Sequence, residues 1–134
     1  MLPLAGVKVV EFCQVLAGPY CGMLLADMGA EVIKVEPPEG DMMRQWPPIN
    51  EGFSENFASI NRNKRSVVLD LKNPAHKAAA RQLILSADVV LEARTPTLAG
   101  NHLVARADAE QAVRQGHRAP RQLGRQERSG VEVA

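Results

Sequence analysis

Cysteine is nearly absent from this 134-residue chain, with Cys13 and Cys21 its only two. Two thiols cannot build a disulfide framework, and no C-x-x-C pair offers a zinc ribbon or a redox motif. Both sit among apolar neighbours, which reads as small buried or half-buried thiols in a reducing compartment. Cys13 also lies where a ligand-facing loop is expected, a setting in which a thiol can be reactive. The three histidines, His76, His102 and His117, lack metal-ligand spacing. No apolar run approaches the ~20 residues of a membrane span. Met1-Leu2-Pro3 leads straight into strand-like sequence, without a charged and then apolar leader. The expectation is a soluble, cytoplasmic protein without a metal. A G-x-G-x-x-G fingerprint, a P-loop and a serine elbow are all missing, which removes the usual support for dinucleotide, NTPase and hydrolase readings.

Aromatics are scarce and lopsided. All five (Phe12, Tyr20, Trp46, Phe53 and Phe57) precede residue 60. Charge is lopsided too. Residues 1–92 carry 11 acidic and 9 basic side chains, a net of −2, and residues 93–134 carry 4 and 7, a net of +3. The seven basic residues of the second segment are all Arg. Its glycines, its Arg and Gln, and the near absence of large apolar residues after Val113 argue against a packed core. The division expected is therefore an ordered unit over 1–92 and an Arg-rich, poorly ordered tail over 93–134, with at most a short helix at Asp108–Gln115. A weak positive excess with no aromatic to stack on bases does not support nucleic-acid binding.

What is present is an alternation of strand and helix signals. Val7–Phe12 is apolar and β-branched, as suits a strand buried on both faces. Gly18-Pro19 punctuates the chain and begins a helix with Pro at its first position. Cys21, Leu24, Leu25 and Met28 fall on one helical face, and Gly29 is a natural stop. Val32, Ile33 and Val35 mark a second strand. Pro37–Gly52, with four prolines, reads as an ordered surface excursion. Ser54 caps a short helix over Glu55–Ile60. Asn61–Arg65 reads as a polar turn and Ser66–Leu71 as a third strand. Asn73-Pro74 caps a helix over Pro74–Ser86, whose face is expected to hold Ala79, Leu83 and Ile84. Asp88–Glu92 reads as a fourth strand. This pattern predicts an α/β, Rossmann-like, mainly parallel sheet with helices on both faces, followed by an irregular tail. Its first strand-to-helix turn lies at the carboxyl edge, where such sheets bind ligands.

Two segments carry candidate chemistry. The Gln14–Pro19 loop has one glycine and so permits one close backbone approach, and its helix-start N–H groups favour phosphate. Arg62, Lys64, Arg65 and Lys72 form a cationic cluster suited to a polyphosphate ligand. The plainer alternative is a solvated charged turn. Glu39 and Asp41 read as surface acids.

LAGVKVVEF followed by LAGPYCGMLLADMGAEVIKVEPPEGD resembles the start of the class III CoA-transferases, of the formyl-CoA and carnitine-CoA transferase type. NRNKRSVVLDLKNP at Asn61–Pro74 and ADVVLE at Ala87–Glu92 are similar to two further family blocks. The resemblance covers roughly the first two-thirds of the chain and stops near Glu92. It implies coenzyme A as ligand, with contacts from Leu16 and Ala17 in the first loop and from Leu69, Asp70, Leu71 and Lys72 in the LDLK tetrad. Of these, Lys72 is the chosen phosphate-side residue. Some members place an Arg at the position of Pro37, so that charge must come from elsewhere, with Arg44 a candidate.

The resemblance also implies acyl-CoA and a small carboxylic acid as partners. An aspartate attacks the thioester, a mixed anhydride forms, and CoA returns through an aspartyl thioester. The family's Asn-aromatic-x-Pro-Gly turn is replaced here by Ala93-Arg94-Thr95-Pro96-Thr97, and Asp108 lacks the Gly-Asp context of the nucleophile. No catalytic residue is therefore assigned. The expectation is a truncated form of a CoA-transferase, inactive by itself. An α-methylacyl-CoA racemase-type fragment and a non-catalytic CoA- or nucleotide-binding module remain as alternatives. The resemblance implies interlocked homodimers for full-length members, whose threading needs a long linker and a second domain, and it does not extend that expectation to these 134 residues.

Overall fold

The chain opens by placing its first strand at the centre of the sheet. The computed structural model describes residues 1–92 and the backbone of residues 102–104. In chain order the elements are β1 (Lys8–Glu11), α1 (Ala17–Asp27), β2 (Glu31–Glu36), a 3-10 turn (Met42–Gln45), β3 (Ile49–Asn50), β4 (Phe53–Ser54), α2 (Glu55–Asn61), β5 (Lys64–Val68), α3 (Pro74–Ser86), β6 (Val89–Glu92) and β7 (His102–Val104). The main sheet runs β5-β2-β1-β6-β7, and β3 and β4 form a separate two-stranded ribbon. β1 pairs in parallel with β2 and β6, β2 in parallel with β5, and β7 runs antiparallel to β6. The expected α/β architecture with a mainly parallel sheet is thus the one observed. β7 lies beyond Glu92, so the segment read as a tail supplies the fifth strand. The remaining expectations for it, including a helix at Asp108–Gln115, fall outside the described residues.

Alternation along the strands divides the core into two layers. Val9, Val32 and Leu91 face one side, where they pack with Cys13, Ala26 and Ala30. Val10, Val35 and Val90 face the other, with Leu69, Ala80, Ile84 and Ala87. α1 covers the first face and α3 the second. A smaller cluster of Met23, Met43 and Ile60 ties α1 to the 3-10 turn and α2. After β2 and β5 the strand order reverses, and β6 returns to the far side of β1. The β1–α1 loop therefore sits at a topological switch point on the carboxyl edge.

Two helix faces differ from expectation. In α1 the buried residues are Gly18, Pro19, Gly22, Met23 and Ala26, while Leu24 and Met28 are exposed. The reason lies beneath the helix. A Cβ on Gly22 would collide with Glu11 Oε2 and meet Lys64 Nζ at 3.2 Å, so the helix turns its small residues to a charged stretch of sheet. Pro19 is third in the helix rather than first, still among the four positions with no intrahelical acceptor for an N–H. In α3, Ala80 rather than Ala79 faces inward with Ile84.

Caps agree with expectation at Asn73, whose Oδ1 accepts from Ala75 and His76 N–H, and at Ser54, whose hydroxyl accepts from Phe57 N–H. β5 begins and ends earlier than Ser66–Leu71. Asn63 supplies the turn at a φ of 61°, and an edge strand tolerates Lys64 and Arg65. Asp70 Oδ1 accepting from Lys72 N–H closes a turn past the strand end.

The inward face of α1 can be checked by substitution. Met23→Ala should cost about 2–5 kcal/mol, and Leu24→Ala should stay within about 0.5 kcal/mol. Urea unfolding of both variants measures this, and the reverse order would mean that α1 is rotated.

Candidate functional site

β1, β2 and β5 each carry charge, and the charge that is buried lands on one face. Glu11, Lys34 and Glu36 share the parity of Val9 and Val32, and Lys64 and Ser66 of β5 join them by register. Glu11 and Lys34 are no more than 1% exposed, and the Lys64 side chain is 2% exposed. Lys34 Nζ lies 3.0 Å from Glu11 Oε1 and 2.8 Å from Asp41 Oδ2, and it donates to Cys13 O at 2.7 Å. Lys64 Nζ donates to Glu11 Oε2 (2.8 Å), Pro19 O (2.7 Å) and Asn61 Oδ1 (3.0 Å). Burial pushes the Lys64 ammonium below its usual range, opposed by Glu11 and reinforced by Lys34. Buried charges persist only when paired and hydrogen-bonded, and here they alternate in sign.

The excursion closes this layer. Asp41 is buried, not a surface acid; Glu39 is exposed as expected. Gly40 turns the chain at a φ of 78°, and Asp41 Oδ1 then accepts from Met43 N–H (2.9 Å) and Val15 N–H (3.3 Å). Glu36 accepts from Asp41 N–H, from Ser66 Oγ–H at 2.6 Å, and from Arg44 through two bonds of 2.7 Å. Burial opposes its ionisation, but the Arg44, Ser66 and Asp41 hydrogen bonds and the Arg44 charge outweigh that and hold the carboxyl at about 2. The Arg44 guanidinium also stacks 3.9 Å from the Phe57 ring centroid. Arg44 is thus held by Glu36, with its side chain still partly exposed.

The predicted cationic cluster does not assemble. Arg62 lies near the amino edge, bonded to Asp27 at the end of α1, with Asn63 on the same carboxylate. The resulting hydrogen bonds and charge hold the Asp27 carboxyl below its ordinary range. Arg65 pairs with Glu31 on the surface, and Lys64 is buried. Lys72 alone of the four is exposed beyond the carboxyl end of β5. Leu69 is buried in the α3-side core, with Leu71 packed against it. Asp70 holds the turn, its backbone N–H donating to His76 Nδ1. At the other segment Leu16 and Ala17 are exposed, and no side chain caps α1. The topology thus puts both predicted contact segments on the carboxyl edge, after β1 and after β5. Cys13 is buried in the core, against the reactive reading.

Among the described residues no group of His, Cys, Asp and Glu can hold a metal, and no helix is long and apolar enough to cross a membrane. Four aspartates are described. Asp27 is bound by Arg62, Asp41 is buried, Asp70 is in its turn, and Asp88 accepts from Lys8 N–H. Asp108 and the segment around Pro96 lie outside the described residues.

Residues 4–111 match the model of CoA-transferase family III, past the Glu92 limit of the expected resemblance. A succinate–glutarate CoA-transferase of Agrobacterium fabrum is 50% identical over 98 residues, which cover 67% of this chain and 24% of that protein. The succinyl-CoA:glutarate CoA-transferase of Homo sapiens is 44% identical over 96 residues, 70% of this chain and 22% of that one. Among solved structures, a CAIB/BAIF family protein from Brucella suis aligns with a TM-score of 0.63 at 46% identity, over 66% of this chain and 25% of its own. The protein Rv3272 of Mycobacterium tuberculosis aligns at 0.65 and 45%, over 72% and 26%. This chain spans about a quarter of the length of these relatives.

Glu36 gives the layer a measurable acid limit. Its folded pKa of about 2 lies below the ordinary 4.5, so its contribution is complete above about 4.5 and is lost as pH falls toward 2. Stability measured across that window should drop, and Glu36→Gln should flatten the drop while lowering stability at neutral pH. An unchanged acid limb in the variant would assign the loss to other carboxylates.

Proposed function

The chain belongs to CoA-transferase family III, and from that membership we propose that it supplies the coenzyme A-receiving edge of an acyl-CoA:carboxylate CoA-transferase. The family match over residues 4–111 carries this reading. The geometry supports it. The β1–α1 loop stands at the switch point with exposed Leu16 and Ala17, and α1 begins there without a side-chain cap, which leaves helix-start N–H groups suited to phosphate oxygens. Leu69–Lys72 occupies the same edge, with Lys72 exposed as the phosphate-side cation. Leu69 and Leu71 hold that turn in place through the α3-side core, and Asp70 shapes it. The names of the relatives point to short dicarboxylic acids, such as succinate and glutarate, as the acids between which CoA moves. They favour transfer over the racemase alternative.

The covalent step belongs to an aspartate outside residues 1–92. An attacking carboxylate must be free to reach a thioester, and each described aspartate is engaged in the fold by its own partners. Asp108, the one aspartate of this chain beyond residue 92, lacks the Gly-Asp context of the nucleophile, so this chain binds without turning over, since binding supplies proximity and not the nucleophile.

Titration calorimetry with coenzyme A tests the reading. Lys72→Ala should weaken binding by about 1–2 kcal/mol, with the loss shrinking at high salt. Measurable binding that ignores this substitution would return Lys72 to the solvated-turn alternative. The purified chain should transfer no CoA from succinyl-CoA to glutarate and leave no acyl-enzyme for hydroxylamine to trap. A trapped intermediate on any of its aspartates would overturn the assignment.

A further inference from the structure

The ionic layer does more than neutralise itself. Each of three buried side chains reaches a different backbone atom of the β1–α1 loop or of the first turn of α1 that follows it. Lys34 donates to Cys13 O at 2.7 Å, Asp41 accepts from Val15 N–H at 3.3 Å, and Lys64 donates to Pro19 O at 2.7 Å. These contacts come from β2, the excursion and β5, so three separate segments converge on seven consecutive residues. Between the first and last contact the loop contains Val15 at a φ of 68°. A β-branched residue does not settle in the left-handed region unaided, and such a conformation persists only when its surroundings over-determine it. The Asp41 carboxylate holds the N–H of that residue. Leu16 and Ala17, which follow it, take their direction from the turn.

We propose that Lys34, Asp41 and Lys64 are positioning residues that lock the Cys13–Pro19 backbone into the conformation that receives coenzyme A, with Val15 as the strained element they restrain. The proposal rests on the reading of this loop as part of the coenzyme A edge. A core that needed only neutral packing would have no reason to spend three charged side chains on loop backbone atoms. None of the three touches the ligand in this scheme. They act by raising the fraction of chains whose loop is competent to bind.

The test is a double-mutant cycle between Asp41 and Val15 in the whole 134-residue chain, read by coenzyme A calorimetry and by amide hydrogen exchange of the loop. Asp41→Ala should weaken coenzyme A binding on the order of tenfold, through a matching fall in the competent fraction, and should speed exchange at Val15 to Tyr20. Glycine holds a positive φ without strain, so in a Val15→Gly background the same substitution should cost less than about threefold. Damage confined to the Met43 cap or to the core would not be relieved by Val15→Gly. An equal loss in both backgrounds, or no loss in either, overturns the proposal.

Should Asp41→Ala fail to fold, Asp41→Ser keeps a capping oxygen for Met43 but is too short for Val15, and it enters the same cycle. A wild-type chain that binds no coenzyme A sinks the reading of the site. In that case loop exchange decides the positioning claim: exchange unchanged by Asp41→Ser ends it, and faster exchange retains the restraint without the ligand.

Discussion

The Glu11 carboxylate, clamped between two buried ammonium groups, is the interaction on which the rest of this structure depends. One oxygen meets Lys34 and the other Lys64. Removing three charges from water costs several kcal/mol each. The layer offsets that cost only because the signs alternate onward to Asp41, and because each ammonium also finds a carbonyl. Losing one member strands its neighbours, which typically costs about 3–5 kcal/mol. This explains why α1 crosses here with Gly22 and not with a bulkier residue. It also explains why the proline-rich excursion is ordered. The excursion delivers Asp41 and Arg44 to Lys34 and Glu36, and Met43 and Ile60 then seal it against Met23.

Architecture was largely legible from the sequence, because periodicity and punctuation report it directly. The apolar β-branched runs became β1, β2 and β6, and Asn73-Pro74 opened α3 at the expected residue. Ser54 capped α2 as its position implies. Ends of elements were less legible. β5 starts at Lys64 because Glu11 takes up the Lys64 ammonium under α1 and the sheet edge leaves Arg65 at the surface, facts about its place in the sheet and not about its propensity. The face of α1 was misjudged for a related reason. Of the expected stripe only Cys21 and Leu25 pack against the core, while Leu24 and Met28 point outward, because the helix is turned to bring Gly22 over the charged groups beneath it.

The site divides along the same line. Both contact segments taken from the family resemblance fall on the carboxyl edge of the sheet. The cation cluster inferred from Arg62, Lys64, Arg65 and Lys72 does not form, since closeness in sequence says nothing about which edge of a sheet a residue reaches. Arg62 and Lys72 flank one strand and stand at its opposite ends. Asp41 looked like a surface acid because it sits among prolines and glycines, and only the fold brings it back beneath the loop. A signal for the ionic layer was nonetheless present. Glu11, Lys34 and Glu36 repeat the parity of Val9 and Val32, so the same face had to be apolar at one end and charged at the other.

The strand order also has a consequence in time. β1 leaves the ribosome before either strand that pairs with it, yet it takes the middle of the sheet, and one of those two partners, β6, lies about 80 residues further along. Lys64, the second cation of Glu11, is 53 residues downstream. During synthesis the innermost strand therefore waits with one edge unpaired and a carboxylate half-neutralised until nearly all of residues 1–92 have emerged. Non-local closure of this kind is slow, and it makes the interval before β6 arrives the period in which the growing chain depends most on being kept from other open strands.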